Sequence, residues 1–125
     1  SYSKFEYEAP QLKKSTFSIS TDNELEISIR VKNVSERAGY EIIQLYVGNP
    51  QTDVERFVKE LKDFKKIMIG ANQTVDVSFR VPLNRFTYFE ENHGTWKVQL
   101  GQYRLLIGPS SDSKELKEIS FMIKA

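Results

Sequence analysis

Residues 56–69 read RFVKELKDFKKIMI, and the fold turns on how that stretch is read. Phe57, Leu61, Phe64 and Met68 recur at intervals of four, three and four, the spacing that aligns apolar side chains on one face of a helix. The charged residues between them suit a wet helical surface. The flanking segments instead alternate apolar and polar residues, as strands do. Taken alone, the stretch is either a lone helix in a β domain or a strand whose period is interrupted.

The neighbouring segments are clearer. In ELEISIRVK, residues 24–32, Leu25, Ile27, Ile29 and Val31 share one parity and the charged residues the other, which predicts a strand with one wet face. YEIIQLYV, residues 40–47, is apolar at both parities apart from Glu41 and Gln44 and reads as a central strand. TVDVSFRV, residues 74–81, alternates again, with Val75, Val77 and Phe79 inward, and ends at Pro82, which cannot donate to a ladder. Residues 95–100 place Trp96, Val98 and Leu100 on one face, and residues 102–107 do the same for Tyr103, Leu105 and Ile107. All of these except Leu100 and the last pair are expected core positions on alternation alone, and the Tyr103 hydroxyl is expected to reach a loop carbonyl. RFTYF is a further short strand candidate, and ELKEISFMIK adds Ile119, Phe121 and Ile123. This succession of short strands and turn signals predicts an all-β, antiparallel two-sheet sandwich.

The chain has 125 residues, enough for one domain over 1–125 with its own core. It has no cysteine, so disulfides and thiolate metal sites are excluded. Its net charge of +1 comes from 18 basic and 17 acidic residues mixed along the chain, unlike the basic stripe of a nucleic-acid binder. No apolar run approaches the roughly 18 residues of a membrane span, and no signal peptide opens the chain. It starts directly in strand-like sequence, so a piece of something longer is expected. The compartment is left open.

Residues that could carry chemistry are few. His93, the single histidine, sits in the turn ENHG without a second histidine to share a metal. A glycosidase needs two carboxylates roughly 5–10 Å apart across the scissile bond. Glu90 and Glu91 are adjacent and on a strand would point to opposite faces, and Asp53, Glu55 and Glu60 lie in polar sequence. No phosphate loop and no GxSxG elbow is present. No catalytic pair, metal site or cofactor site is therefore assigned. Asn33-Val34-Ser35 and Asn72-Gln73-Thr74 match the N-glycosylation pattern, which places both asparagines in expected exposed turns.

Five segments, in order, carry a resemblance. SYSKFEY, VKNVSERAGYEIIQLYV, RFVKELKDFKKIMI, TVDVSFRVPLNRFTYF and TWKVQLGQYRLLIGPSS resemble the successive motifs of the fibronectin type III-like domain at the C-terminal end of glycoside hydrolase family 3 enzymes, the β-glucosidases and β-xylosidases. The likeness spans nearly the whole chain. It implies that residues 60–69 are an extended edge strand with an irregularity near Asp63, where the family often has glycine and where a bulge or a positive φ fits. The helical spacing then results from one inserted residue, and the lysines suit an edge because they discourage edge-to-edge pairing. The sequence departs from the family pattern at Phe57, a proline there, and at residues 70–72 and 99–101, where PGE and EPG have become GAN and QLG.

The resemblance further implies a non-catalytic module. The nucleophile and acid/base carboxylates of such enzymes belong to other domains, on which this one packs and which it stabilises. Those domains are the expected partner, with carbohydrate contacted through them. A stand-alone carbohydrate- or protein-binding sandwich is the alternative. Arg56, Phe57, Val58, Lys59 and Glu60 are the candidate interdomain contact, because adjacent apolar residues in so charged a stretch suit a docking surface. Replacing Arg56→Ala together with Phe57→Ala is expected to lower the thermal stability or activity of a longer chain while hardly moving the melting temperature of residues 1–125 alone. Equal destabilisation of both, read by thermal denaturation, assigns the pair to the domain's own core instead.

Overall fold

In the computed structural model, residues 4–48 and 59–125 are described, Tyr88 and Phe89 by backbone alone. The alternation in residues 24–32 becomes β4 (Glu24–Asn33), with Leu25, Ile27, Ile29 and Val31 buried. β4 is the spine of a first sheet. β1 (Phe5–Tyr7) and β2 (Gln11–Leu12) pair with it along one edge and β7 (Thr74–Pro82) along the other, all antiparallel. The second sheet runs β3 (Thr16–Ser18), β11 (Lys117–Lys124), β10 (Gly101–Gly108), β5 (Gly39–Gly48), β6 (Lys59–Ile69). The chain thus starts in one sheet and crosses to the other, where β3 pairs parallel to β11. The fold is the all-β sandwich that the alternation predicts, and among the described residues its only helical turn is Leu83–Arg85.

The core lies between the sheets. Ile43, Leu45 and Val47 of β5, Leu105 and Ile107 of β10, and Phe121 and Ile123 of β11 face Leu25 to Val31 of β4 and Val77, Phe79 and Val81 of β7. At one end Phe17, Phe86, Tyr103 and Phe121 form an aromatic cluster with ring centroids 5.1–6.0 Å apart. The Tyr103 hydroxyl donates to Gln99 O at 2.6 Å, as its position suggests. Burial pushes its pKa up to about 12, so it stays a donor.

The stretch that opened the question is a strand. β6 is the terminal strand of its sheet, and its register against β5 shifts between Leu45 and Tyr46: Asp63 faces Leu45 and Leu61 faces Tyr46, leaving Lys62 as the extra residue. One inserted residue makes an odd interval behave as an even one, so Leu61, Phe64 and Met68 share a face despite spacings of three and four. Asp63 does not take a positive φ; among the described non-glycine residues only Asn72 does, at 59°.

Two expectations fail. Trp96 is 69% exposed, and Val75 and Val98 are only half-buried. Residues 95–98, not 95–100, form β9, which pairs only with β8 (Thr87–Glu90) as a separate two-stranded ribbon. Alternation assigns an inner face only where a second sheet covers it, and the ribbon extends beyond that cover. Among the described side chains of the ribbon, Val98, at its base, packs on the core.

Asn33 is the other correction. It lies not in an exposed turn but at the fifth inward position of β4, fully buried. Its Nδ2 donates to Arg37 O at 2.7 Å and Ile69 O at 2.9 Å, and its Oδ1 accepts from Ser35 N at 2.9 Å and Ser35 Oγ at 2.7 Å. Asn72 is exposed, in the turn between β6 and β7. Asn33→Ala takes this donor from the buried Ile69 carbonyl and this acceptor from Ser35 N, and is expected to cost about 2 kcal/mol in urea denaturation. In a glycosylating host, a glycan is expected at Asn72 and none at Asn33, read by mass spectrometry.

Candidate interdomain surface

Of the candidate contact, Arg56, Phe57 and Val58 lie outside the described residues. Lys59 and Glu60 open β6. Lys59 is half-buried, its Nζ 5.9 Å from the centre of the Tyr46 ring, and the exposed Glu60 carboxylate stands 3.2 Å from Lys62 Nζ. The bulge directs Lys62 sideways. Its Nζ donates to Arg85 O at 3.1 Å, and Arg85 Nη1 donates back to Lys62 O at 2.9 Å. This reciprocal pair ties the edge strand to the turn between β7 and β8. A cavity of about 170 Å³ opens at the junction, lined by Val47, Lys62, Phe86 and Tyr103 among others. It is smaller than the usual ligand pocket.

Above this latch, the outer face of β5 and β6 is apolar. Tyr40 opposes Met68, Gln44 opposes Phe64 and Tyr46 opposes Leu61, with Ile42 between them. Tyr40 and Phe64 are 60% exposed, and Ile42, Leu61 and Met68 are exposed too. The signal was present in the sequence: YEIIQLYV is apolar at both parities. The pattern predicts a central strand, and β5 does have a neighbour on each side. The second apolar parity, however, faces outward.

The other sheet presents the opposite surface. On its outer face Arg80 Nε meets Glu26 Oε2 at 2.9 Å and Arg30 Nε meets Asp76 Oδ1 at 3.0 Å, each across a directly opposed pair. Ser28 and Ser78 lie between them. A hollow of about 410 Å³ on this face is lined almost wholly by polar residues.

Of the carboxylate candidates, Glu60 and Glu90 are engaged in ion pairs. Glu90 accepts from Lys97 Nζ at 2.8 Å and lies 2.6 Å from His93 Nδ1, which clamps the tip of the β8–β9 ribbon around Gly94. The Lys97 contact, reinforced by His93, holds the Glu90 carboxyl below its ordinary pKa, the opposite of what a general acid needs. Glu91 is exposed in the same turn, and Asp53 and Glu55 lie outside the described residues. Among the described residues no group of three metal-ligating side chains converges, and no helix is long and apolar enough to cross a membrane.

One titratable pair bridges the sheets. Tyr7 OH, on β1, donates to Glu41 Oε2, on β5, at 2.8 Å. Burial raises the pKa of both, and the bond to Glu41 raises that of Tyr7 further.

Comparison with known proteins agrees with this architecture. The fibronectin type III-like domain family matches residues 41–111. The chain belongs to that family. It is 38% identical over 111 residues to the β-glucosidase BoGH3A of Bacteroides ovatus, covering 89% of this chain and 15% of that protein. It is 37% identical over 118 residues to the thermostable β-glucosidase B of Acetivibrio thermocellus, covering 94% and 15%. The crystal structure of the β-glucosidase from Listeria innocua with isofagomine superimposes with a TM-score of 0.83 at 26% identity, over 99% of this chain and 16% of that one. The chain therefore spans about 15% of the length of the relatives it matches, and the resemblance seen in the sequence holds.

The raised pKa of Glu41 fixes the sign of a pH effect. The folded chain binds this proton more tightly than the unfolded chain. The associated stability is present below the unfolded carboxylate pKa and is lost as pH rises through the folded value. At neutral pH the buried charge is a cost. Glu41→Gln keeps an oxygen for Tyr7 and removes the charge. Urea midpoints are expected to favour the variant at neutral pH, with the advantage shrinking as pH falls through the carboxylate range.

Proposed function

We propose that this domain is the accessory module of a β-glucosidase-type glycoside hydrolase of family 3, and that it takes no part in bond cleavage. It packs on the catalytic portion of the same polypeptide and stabilises it. The observation that carries the reading is that 99% of the chain superimposes on 16% of a β-glucosidase. The electrostatics are in keeping: the one carboxylate held by a histidine and a lysine is biased towards the anion and spans a hairpin tip. The start of β6, with Arg56, Phe57 and Val58 before it, belongs to the proposed contact.

A stand-alone carbohydrate-binding role has less support. Sugars stack on open aromatic faces, and the exposed ring of Tyr40 already carries the Lys66 ammonium, 4.7 Å from its centre. The polar hollow on the other sheet has no aromatic side chain in its lining.

The test is the natural full-length polypeptide. It is expected to hydrolyse aryl β-glucosides, with kcat and KM unchanged by Glu90→Gln or Glu91→Gln. Residues 1–125 alone are expected to show no turnover. A full-length chain without glycosidase activity, or activity lost with either carboxylate, overturns the proposal.

A further inference from the structure

We infer that the outer face of β5 and β6, centred on Tyr40, Ile42, Leu61, Phe64 and Met68, packs against the catalytic portion of the same polypeptide. The inference rests on the functional reading above and adds which surface makes the contact.

The two outer faces of the sandwich differ in kind. One is finished for water by directly opposed ion pairs, Glu26 with Arg80 and Arg30 with Asp76. The other places five large apolar side chains on two adjacent strands, all substantially exposed. A strand needs apolar residues on one parity only to hold a sandwich together. The second apolar parity of β5 and its continuation on β6 add nothing to the core. A contiguous apolar patch that stays in water is costly and marks a contact surface.

The partner meets a face and not an edge. β6 is the terminal strand, but its lysines close its edge side. Lys62 turns to Arg85 O, and Lys65 donates to Ser78 O on β7, its Nζ 5.3 Å from the Phe79 ring. Strand addition there meets cations and occupied carbonyls. The outer face has its ammonium groups, Lys59 and Lys66, lying on the rings of Tyr46 and Tyr40. There they shield the rings while the patch is exposed and can swing to the rim when it is covered. The occupant is the rest of the polypeptide because the matched relatives are chains of which this domain makes up about 15%. A body that large, tethered to the domain, outcompetes a free second copy through effective concentration.

The two methionines of the domain supply an internal test. Met68, in the patch, is 51% exposed, and Met122, on β11 beyond β10, is 36% exposed. In the isolated geometry Met68 should oxidise at least as fast as Met122. The full-length polypeptide, confirmed monomeric by light scattering, is treated with hydrogen peroxide, and sulfoxide at each methionine is followed by mass spectrometry. Met68 is expected to oxidise several-fold more slowly than Met122. Tyr40→Ser with Phe64→Ser is expected to abolish that protection. Met68 oxidising as fast as Met122 or faster in the monomeric wild type overturns the inference, whether or not the variant folds. Protection that appears only in a self-associated form also overturns it, since the occupant is then a second copy. Protected Met68 in a monomer without glycosidase activity supports the docking face while overturning the functional reading.

Discussion

The side-chain amide of Asn33 holds the two sheets in register. It occupies the core parity of β4, following Leu25, Ile27, Ile29 and Val31, where a fifth apolar residue would continue the pattern. Through Ile69 O it joins the end of β4, in the first sheet, to the end of β6, in the second. Through Arg37 O and Ser35 it also sets the path of the link from β4 to β5. The neighbouring backbone extends the junction: Asn33 N donates to Gln73 O in the β6–β7 turn, and Val34 N to Lys4 O before β1. Apolar burial drives the sheets together but is non-directional. A buried amide with both polar atoms satisfied permits one register and penalises the rest by leaving donors and acceptors unpaired. Both crossovers between the sheets at this end therefore depend on one residue.

With that register set, the other polar devices have defined places. The Tyr7–Glu41 bond repeats the link between sheets nearer the β1 edge. The Lys62–Arg85 pair does so at the opposite end of β6, where the bulge frees Lys62 from the face of its neighbours. Beside it, the aromatic cluster around Tyr103 closes the core, and the β8–β9 ribbon leaves the sandwich there. The ribbon keeps its shape by local means, the hairpin ladder and the Glu90 clamp. That is why Trp96 can stand so far into solvent without cost to the core.

The bulge also links structure to function. Were Lys62 paired in a regular ladder and not bulged out of it, Leu61, three residues before Phe64, would fall on the opposite face from Phe64 and Met68, and the outer apolar surface would be shorter by one strand position. The bulge thus serves two ends. It turns a lysine to latch the edge strand, and it keeps three apolar side chains on the surface we assign to the rest of the polypeptide.

The strands of the core were legible in the sequence because their parity is enforced by burial on one face alone. β4 and β7 follow it residue by residue, and β6 was recoverable once a family pattern showed that its spacing of three hides an insertion. What the sequence could not separate was which apolar parity meets the core and which meets solvent. Tyr40, Ile42 and Phe64 have the same hydrophobicity wherever they point, and Trp96 alternates correctly on a strand that no second sheet covers. The N-x-S/T match predicts an exposed turn for Asn33, whereas its place is set above all by a carbonyl distant in sequence, that of Ile69. Alternation along one chain segment is a local property, so the sequence determined it. Which face is covered, and which polar atom finds a partner, depends on segments brought together only by the packed sheets, so the tertiary structure decided those.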